Sequence, residues 1–425
     1  MVRILQPIIV IPFASEVHRK EYYVAVLDLL KQYISRHGVD VHNGIVTEIS
    51  EAEQIGKKYH EFLPIILVLT GGTSKLIENF VTSGDYERLL LFSHSEHNSL
   101  ASAISSRNKV ERKGVIGFVY HCSDINSASC ISTIDRMFRI SKAIASVIGI
   151  KVGVIVDRGI KEETEETFEA RFKAKVIVKS IDEFLNEIES LGESNVAEAK
   201  EHIAKLLNLD PSIQQLDLIA RLYLALKKFK QEEKLNAVTI DCFPFISKYG
   251  STPCIPLAVL NAEGTVAGCE ADLPSLLGLV LAKAITGRSG YIANVVDVAS
   301  NVCYLAHCTI ALDITKNVKI STHFETGKSY ALTGEYVGDT VTLLSIDRDF
   351  TLATTAVGKV ISSGNIGLAA CRTQMMVEFD YPVELLPNVA PNNHHIVMLG
   401  DRRKELTEVL YMLGLDVVDY KELVV

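Results

Sequence analysis

Short apolar runs alternate with amphipathic segments along the first two thirds of the chain. "IIVIPF" (8–13) and "RLLLFSH" (88–94) are each followed by a stretch in which apolar residues recur every three or four positions, as in helices. Buried β-branched strands separated by helices indicate a parallel sheet with crossover helices. Because the pattern begins afresh at "IKVGVIV" (150–156), we predict two Rossmann-like, doubly wound α/β domains, over residues 1–145 and 146–290.

From about residue 291 the apolar period changes to two. "VCYLAHCTIAL" (302–312) and "DTVTLLSID" (339–347) alternate apolar and polar residues and are bounded by turn-forming Gly, Asn and Asp. This pattern predicts an antiparallel β-barrel or sandwich domain over residues 291–425, with a final helix at about 401–414. The predicted fold class is therefore α/β plus β.

Composition narrows the range of partners. The 425 residues are 48% apolar and 22% charged with a net charge of −9, which offers no basic surface for nucleic acid. No apolar run approaches the roughly 18 residues of a membrane span, since even "LPSLLGLVLAKAITG" is short and contains Lys283. We expect a soluble, cytoplasmic protein with neither a nucleic-acid nor a membrane partner. The absence of Trp and the abundance of Ile, Val, Lys and Glu suit a thermophilic source.

The eight cysteines are scattered and form no C-x-x-C motif. This spacing argues against a zinc ribbon and against a thioredoxin-type redox pair. We expect most of them to be small buried residues, and the sequence leaves open whether any of them pair.

Two polar stretches follow predicted strands in the first domain. In "TGGTS" (70–74), Gly72 and Thr73 could present backbone N–H groups to an anion or a sugar hydroxyl, or they could form only a tight turn. In "HSEHNSL" (94–100), Asn98 or Ser99 could be a simple helix N-cap. Open α/β sheets bind ligands at this edge, so the alternative is a set of polyol contacts from His94, His97, Asn98 and Ser99.

"GCEADLPSLLG" (268–278) places two acids before an apolar helix. Glu270 or Asp272 could cap the N-terminus of that helix, where a carboxylate meets unpaired N–H groups and the positive end of the helix dipole. Glu270 also follows a predicted strand, where open α/β sheets expose functional carboxylates. The position of Glu270 is therefore compatible with a structural role as a helix cap and with a functional role as an exposed carboxylate.

Three histidines in the β domain are candidate metal ligands. His307 lies in "YLAHC", and His394 and His395 are adjacent in "NNHHIVMLGD", so only one of that pair can face a given side of a strand. Each of them could instead be a core histidine. Together with Glu270 and the acids near "NVVD", they would form a mixed nitrogen and oxygen site suited to Mn²⁺ or a similar divalent ion.

A series of motifs between about 236 and 401 resembles one known superfamily. "CFPFI", "TPCIPLAVLNAEGTVAGCEADL", "AHCT", "THFETGK", "VTLLSID", "CRTQ" and "NNHHIVMLGD" occur in the order found in L-fucose and L-arabinose isomerases. Within that superfamily the sequence resembles in particular the L-fucose isomerase-related proteins of archaea and thermophiles. The resemblance implies a Mn²⁺-dependent aldose–ketose isomerase that acts through an ene-diol on a pentose, a 6-deoxyhexose or a derivative. It also implies a homo-trimer or homo-hexamer in which a neighbour's first domain completes each pocket.

The resemblance also implies roles for individual residues. Glu270 matches a glutamate that binds metal and transfers protons, which leaves helix capping to Asp272. His395 and His307 match metal histidines, and His394 is placed at the substrate as a catalytic residue. The residues expected to contact the sugar are Asn294, Gly72, Thr73, His97, Asn98 and Arg372.

Asn294 departs from the superfamily pattern. It stands where an aspartate is expected, and an amide cannot act as a base. Asp297, three residues further on, could supply the missing catalytic acid if a bulge turned it inward. The departure keeps two alternatives open: a catalytically impaired sugar-binding or regulatory protein, and a metal-assisted lyase or epimerase acting on a sugar derivative.

Overall fold

The computed structural model describes residues 5–424, which form two compact units. The first unit comprises residues 5–146 together with Tyr411–Gly414. The second comprises residues 147–410 and 415–424, and it contains both an α/β part and the antiparallel β part.

A five-stranded parallel sheet forms the centre of the first unit. The strand order is β2-β1-β3-β4-β5, and every residue of β1, β3 and β4 is buried, as expected for parallel strands covered on both faces. The predicted parallel sheet with crossover helices is thus confirmed. A disulfide joins Cys122 and Cys130. The elements are β1 (Ile8–Phe13), α1 (Lys20–Ile34), a 3₁₀ turn (Ser35–His37), β2 (Asp40–Val41), α2 (Ile49–Lys58), β3 (Leu63–Val68), α3 (Ser74–Gly84), β4 (Arg88–His94), α4 (Ser99–Glu111), β5 (Ile116–Cys122) and α5 (Ala128–Val147).

The α/β part of the second unit has a four-stranded parallel sheet in the order β7-β6-β8-β9. Its first strand along the chain begins at Lys151, next to residue 150, where the sequence pattern begins afresh. The elements are β6 (Lys151–Val156), α6 (Glu163–Phe172), β7 (Lys175–Ser180), α7 (Ile181–Glu189), α8 (Glu193–Leu207), α9 (Leu216–Glu232), β8 (Ala237–Ile240), α10 (Cys242–Tyr249), α11 (Cys254–Ala262), β9 (Val266–Cys269) and α12 (Leu273–Thr286).

Helix α12 is the apolar helix that follows Glu270 in the sequence. Asp272 is its N-cap and accepts a hydrogen bond from the Ser275 N–H at 3.3 Å, which confirms the predicted cap. The helix ends at Gly287, whose φ of +71° is favourable for glycine. None of the helices in the described part of the chain combines the length and the apolar character needed to cross a membrane.

A closed antiparallel barrel forms the remainder of the second unit. Six strands pair in the order β14-β17-β10-β11-β16-β15, and β15 pairs back with β14 to close the barrel, so the structure is a barrel and not a sandwich. Two further strands lie outside the barrel and form a separate ribbon, β12-β13. The elements are β10 (Tyr291–Ala299), β11 (Val302–His307), a 3₁₀ turn (Leu312–Ile314), β12 (Thr315–Thr322), β13 (Ser329–Tyr336), β14 (Thr340–Ile346), β15 (Leu352–Gly364), β16 (Thr373–Glu378), α13 (Leu386–Val389), β17 (His394–Leu399), α14 (Arg403–Met412), β18 (Asp416–Asp419) and α15 (Tyr420–Val424).

The pairing of β10 with β17 decides which way the two adjacent histidines face. His395 is opposite Ala293, and His394 is opposite Asn294. Cross-strand partners share a face of the sheet, and Ala293 belongs to the apolar core of the barrel. His395 therefore points into the barrel, and His394 points to the other face.

Candidate functional site

Three acidic residues directly follow adjacent parallel strands of the second unit. Asp157 follows β6, Asp241 follows β8 and Glu270 follows β9. Because the carboxyl ends of parallel strands meet at one edge of the sheet, these side chains share a cavity of about 630 Å³. Its other charged and polar lining residues are Arg158, Glu162, Thr164, Glu165, Asp272, Arg348, Asn392, Asn393 and His394.

The backbone at Glu270 has an uncommon conformation. Glu270 has a φ of +60° and Ala271 a φ of +51°, so two consecutive non-glycine residues lie in the left-handed region. This conformation costs about 1–2 kcal/mol per residue. It is held by the hydrogen bonds from Ala271 N–H to the Ile240 carbonyl at 3.2 Å and from Asp272 N–H to the Cys269 carbonyl at 3.4 Å. Strain of this kind is typical of positions where a side chain is aimed for function.

We predict that Ala271→Gly stabilises the protein by about 0.5–1 kcal/mol. Glycine relieves the left-handed strain, and this gain exceeds its larger entropy loss on folding. The matched control is Ala197→Gly, an exposed position within α8, where glycine should cost about 1 kcal/mol. Equilibrium urea unfolding of both variants measures the difference, and equal destabilisation by the two substitutions would contradict the prediction.

Glu270 lies beside two histidines from the barrel. The ligand atoms of Glu270, His307 and His394 all lie within 4.8 Å of one another. His307 Nε2 is 3.3 Å from Glu270 Oε1, and His394 Nε2 is 3.4 Å from Glu270 Oε2. Neither contact has the alignment of a hydrogen bond, so both buried nitrogens are without a hydrogen-bond partner in residues 5–424. Nitrogen and carboxylate donors that converge in this way fit a divalent cation.

The electrostatics of the cluster keep Glu270 ionised. Burial by itself would raise the pKa of Glu270, but the adjacent His307 and His394 outweigh it and hold that pKa well below its usual range. Burial likewise lowers the pKa of His394, whereas Asp272 and Glu270 raise it to about 9. Without a cation, the charge of Glu270 is therefore balanced by the protonated His394 imidazole.

Asp272 has a second contact besides the helix cap. Its Oδ2 lies 2.7 Å from His394 Nδ1, while Oδ1 accepts the Ser275 N–H. A carboxylate that hydrogen-bonds the remote nitrogen of a histidine fixes the ring orientation and raises its basicity. The sequence analysis assigned Asp272 only to the cap. The sequence feature that indicates this second contact is the position of Asp272, two residues after Glu270 at the same edge of the sheet.

We predict that Asp272→Asn weakens binding of Mn²⁺ about tenfold and leaves protein stability nearly unchanged. Asparagine is as good an N-cap as aspartate, so the substitution keeps the cap. It removes the negative charge of residue 272 beside the His394 ring. Calorimetric titration measures the affinity. Asp272→Ala is the comparison variant: it should lose the same affinity and, in addition, about 1 kcal/mol of stability. Unchanged Mn²⁺ binding in both variants would rule out a role beyond capping.

His395 is not part of the cluster. It is fully buried in the barrel, its Nε2 lies 2.8 Å from the Tyr420 hydroxyl, and its Nδ1 lies 3.3 Å from the Asn393 carbonyl. Burial lowers the pKa of His395 to about 4, so the ring is neutral. The structure therefore brings His394, and not the expected His395, to Glu270 and His307.

Asn294 and Asp297 lie on β10, and neither is among the residues that line the Glu270 cavity. Asn294 Oδ1 accepts a hydrogen bond from Asn393 Nδ2 at 2.8 Å. The register of β10 against β11 does shift between Val295 and Asp297, as a bulge would require. Asp297 is nevertheless exposed and lines a different cavity of about 470 Å³, with Leu386 and Pro387. The bulge thus does not bring Asp297 to Glu270.

The Arg372 side chain binds a neighbouring loop. Its guanidinium donates hydrogen bonds to the Thr322 carbonyl at 2.7 Å and to Thr322 Oγ1 at 3.2 Å, and it lies 5.4 Å from the centre of the Phe324 ring. It is not among the residues that line the Glu270 cavity.

The other expected sugar contacts belong to the first unit. Thr73 is buried and hydrogen-bonds Ser102, while Gly72 has a φ of +82° in the turn before α3. His97 and Asn98 both have left-handed backbones, and Asn98 is at the N-cap position of α4 without a side-chain cap bond. His97 Nδ1 lies 3.1 Å from His18 Nδ1.

Asp241 is a site residue that the sequence analysis missed. It is partly buried and lines the same cavity as Glu270. Burial, and then the charge of Glu270, raise the pKa of Asp241. The signal was present in "LNAVTID", because this acid follows a strand just as Glu270 does.

Comparison with known proteins gives weak but consistent similarity. The chain is 24% identical to a sulfoquinovose isomerase of Alkalicoccus urumqiensis over 233 residues, and 25% identical to one of Clostridium sp. (strain MSTE9) over 230 residues. A sulfoquinovose isomerase of Priestia megaterium is 21% identical over 220 residues. Each match covers 50% of this chain, and the chain spans about half the length of these curated relatives. No model of a protein family matches the sequence.

Proposed function

We propose that this protein is a sugar aldose–ketose isomerase whose divalent cation is held by Glu270, His307 and His394. The observation that carries the proposal is the convergence of one ionised carboxylate and two buried, unpartnered imidazole nitrogens beside a polar cavity. A nitrogen and oxygen donor set is compatible with Mn²⁺. Similarity to three proteins named as sulfoquinovose isomerases supports the reaction class.

The proposed reaction moves a proton between C1 and C2 of an open-chain sugar. A bound divalent cation supplies the positive charge that stabilises developing negative charge on the sugar oxygens. Glu270, kept ionised by its histidines, can accept a proton, and Asp241, whose pKa is raised, can hold and return one. The second carboxylate of the proposed reaction is Asp241 and not Asp297, because Asp241 lines the cavity of Glu270 and Asp297 lines a different one.

The substrate class is a pentose, a 6-deoxyhexose or a sugar derivative. Asn392 and Asn393 line the cavity and can hydrogen-bond sugar hydroxyls. Arg348 also lines it and is exposed, so it offers a guanidinium to an anionic substituent such as the sulfonate of sulfoquinovose. The proposal retains a homo-trimer or homo-hexamer, in which Gly72, Thr73, His97 and Asn98 would serve a neighbouring subunit.

The test is a sugar panel in deuterated water with the Mn²⁺-loaded protein. It contains L-fucose, L-arabinose and the matched pair sulfoquinovose and D-quinovose, which differ only in the sulfonate. We expect one aldose to give its ketose by NMR, with solvent deuterium entering at the carbon that receives the proton. Deuterium exchange without ketose would favour a lyase or epimerase. Saturable binding with neither exchange nor ketose would favour the sugar-binding alternative that Asn294 suggests.

A further inference from the structure

A second group of ligating side chains lies beside the barrel. Cys308 follows β11, Cys371 precedes β16, and Glu325 is in the loop between β12 and β13. One ligand atom from each of the three lies within 4.8 Å of the other two. Cys371 Sγ is 3.3 Å from Glu325 Oε1, and Cys308 Sγ is 4.0 Å from Glu325 Oε2.

A buried histidine borders this group. His323 is 3% exposed, and its Nδ1 lies 3.5 Å from Glu325 Oε2. The same nitrogen lies 3.1 Å from Thr326 Oγ1 and accepts the Thr326 N–H at 3.4 Å, and the His323 ring also contacts Cys308. A nitrogen donor is thus available next to the two sulfurs and the carboxylate.

The surrounding backbone holds these side chains in place. Strands β11 and β16 pair with His307 opposite Thr373, so Cys308, one residue after His307, and Cys371, two residues before Thr373, lie at the same end of this strand pair. The β12-β13 loop is closed by the hydrogen bonds from His323 N–H to the Lys328 carbonyl at 2.7 Å and from Gly327 N–H to the His323 carbonyl at 3.0 Å.

Arg372 fastens this loop to the Cys371 segment. Its two hydrogen bonds to Thr322 and its position over the Phe324 ring fix the loop on the residue directly after Cys371. Glu325 is thereby directed at the cysteines, although its side chain is 40% exposed. Such support from neighbouring residues is what a preorganised ligand set requires.

We propose that Cys308, Cys371, Glu325 and His323 form a second metal site, selective for a soft divalent cation such as Zn²⁺. Sulfur ligands favour Zn²⁺, whereas the nitrogen and oxygen donors around Glu270 suit harder ions, so the two sites would select different metals. Binding requires each thiol to lose its proton to solvent. It also draws the sulfurs to about 2.3 Å from the metal, a small contraction of the observed cluster. The site does not depend on the proposed isomerase activity.

Co²⁺ is the probe that separates the two sites, because a thiolate ligand gives a strong sulfur-to-cobalt absorption band and a histidine or carboxylate does not. The titration uses the full-length Glu270→Gln variant, kept reduced, so that the first site is silenced. We expect the band to appear and to be removed by Zn²⁺. Adding Cys371→Ser or Cys308→Ser should weaken Co²⁺ binding at least about tenfold and abolish most of the band.

The control is Cys303→Ser, which changes a cysteine of the barrel core that is not in the cluster and should leave the band intact. Absence of the band in the reduced protein would overturn the proposal, as would a band unaffected by both cysteine substitutions. A Cys308–Cys371 disulfide found by mass spectrometry in protein kept under reductant would also overturn it. If buried Cys308→Ser does not fold, Cys371→Ser and the exposed Glu325→Gln still decide the question.

Discussion

Glu270→Gln is expected to lower kcat/KM at least about 1,000-fold and to weaken Mn²⁺ binding at least about 100-fold. The amide removes a charged ligand and a base in one step, and general base catalysis alone contributes about 100- to 10,000-fold. It also leaves His307 and His394 without the negative charge that lies 3.3–3.4 Å from their Nε2 atoms. Steady-state kinetics on the sugar identified by the panel, together with calorimetry and elemental analysis, measures both losses.

The two losses can be separated by their pattern. If metal content remains and turnover disappears, Glu270 transfers protons but is not an essential ligand. If both persist, the site assignment is wrong. The matched control is Glu166→Gln, which makes the same chemical change at an exposed position of α6 and should alter neither measurement.

The position of Glu270 could be inferred from sequence because it depends on local signals. An apolar strand, two acids and an apolar helix mark the carboxyl edge of an α/β sheet. The same rule identifies Asp241, which also directly follows a buried strand. The left-handed backbone at Glu270 and Ala271 carries no sequence signal, because neither residue is glycine.

Barrel closure could not be predicted from residue periodicity. Alternation predicts antiparallel strands, but the pairing of β14 with β15 and of β14 with β17 decides between a barrel and a sandwich. The first pairing joins strands that are consecutive in the chain, but the second joins residues 340–346 to residues 394–399. Alternation also does not reveal that β12 and β13 form a separate ribbon, in which each strand pairs only with the other.

The choice between His394 and His395 illustrates the same limit at a single residue. Period two shows that one of them faces the site but not which one. The answer depends on the register with β10, where a shift by one residue would exchange the two side chains. The family resemblance suggested His395 as the metal ligand, whereas the register directs His394 to Glu270.

A matched pair of substitutions tests this assignment directly. We expect His394→Asn to weaken Mn²⁺ binding at least about 100-fold, because a ligand nitrogen is lost beside Glu270. His395→Asn should change Mn²⁺ affinity by only a few fold and instead cost about 1–3 kcal/mol of stability, because the shorter side chain leaves the buried Tyr420 hydroxyl without its 2.8 Å partner. Calorimetry and urea unfolding of both variants give the two quantities. The opposite pattern, with metal lost in His395→Asn and retained in His394→Asn, would mean that β17 pairs one residue out of the observed register, and Asp272 would then lose its role in orienting a ligand.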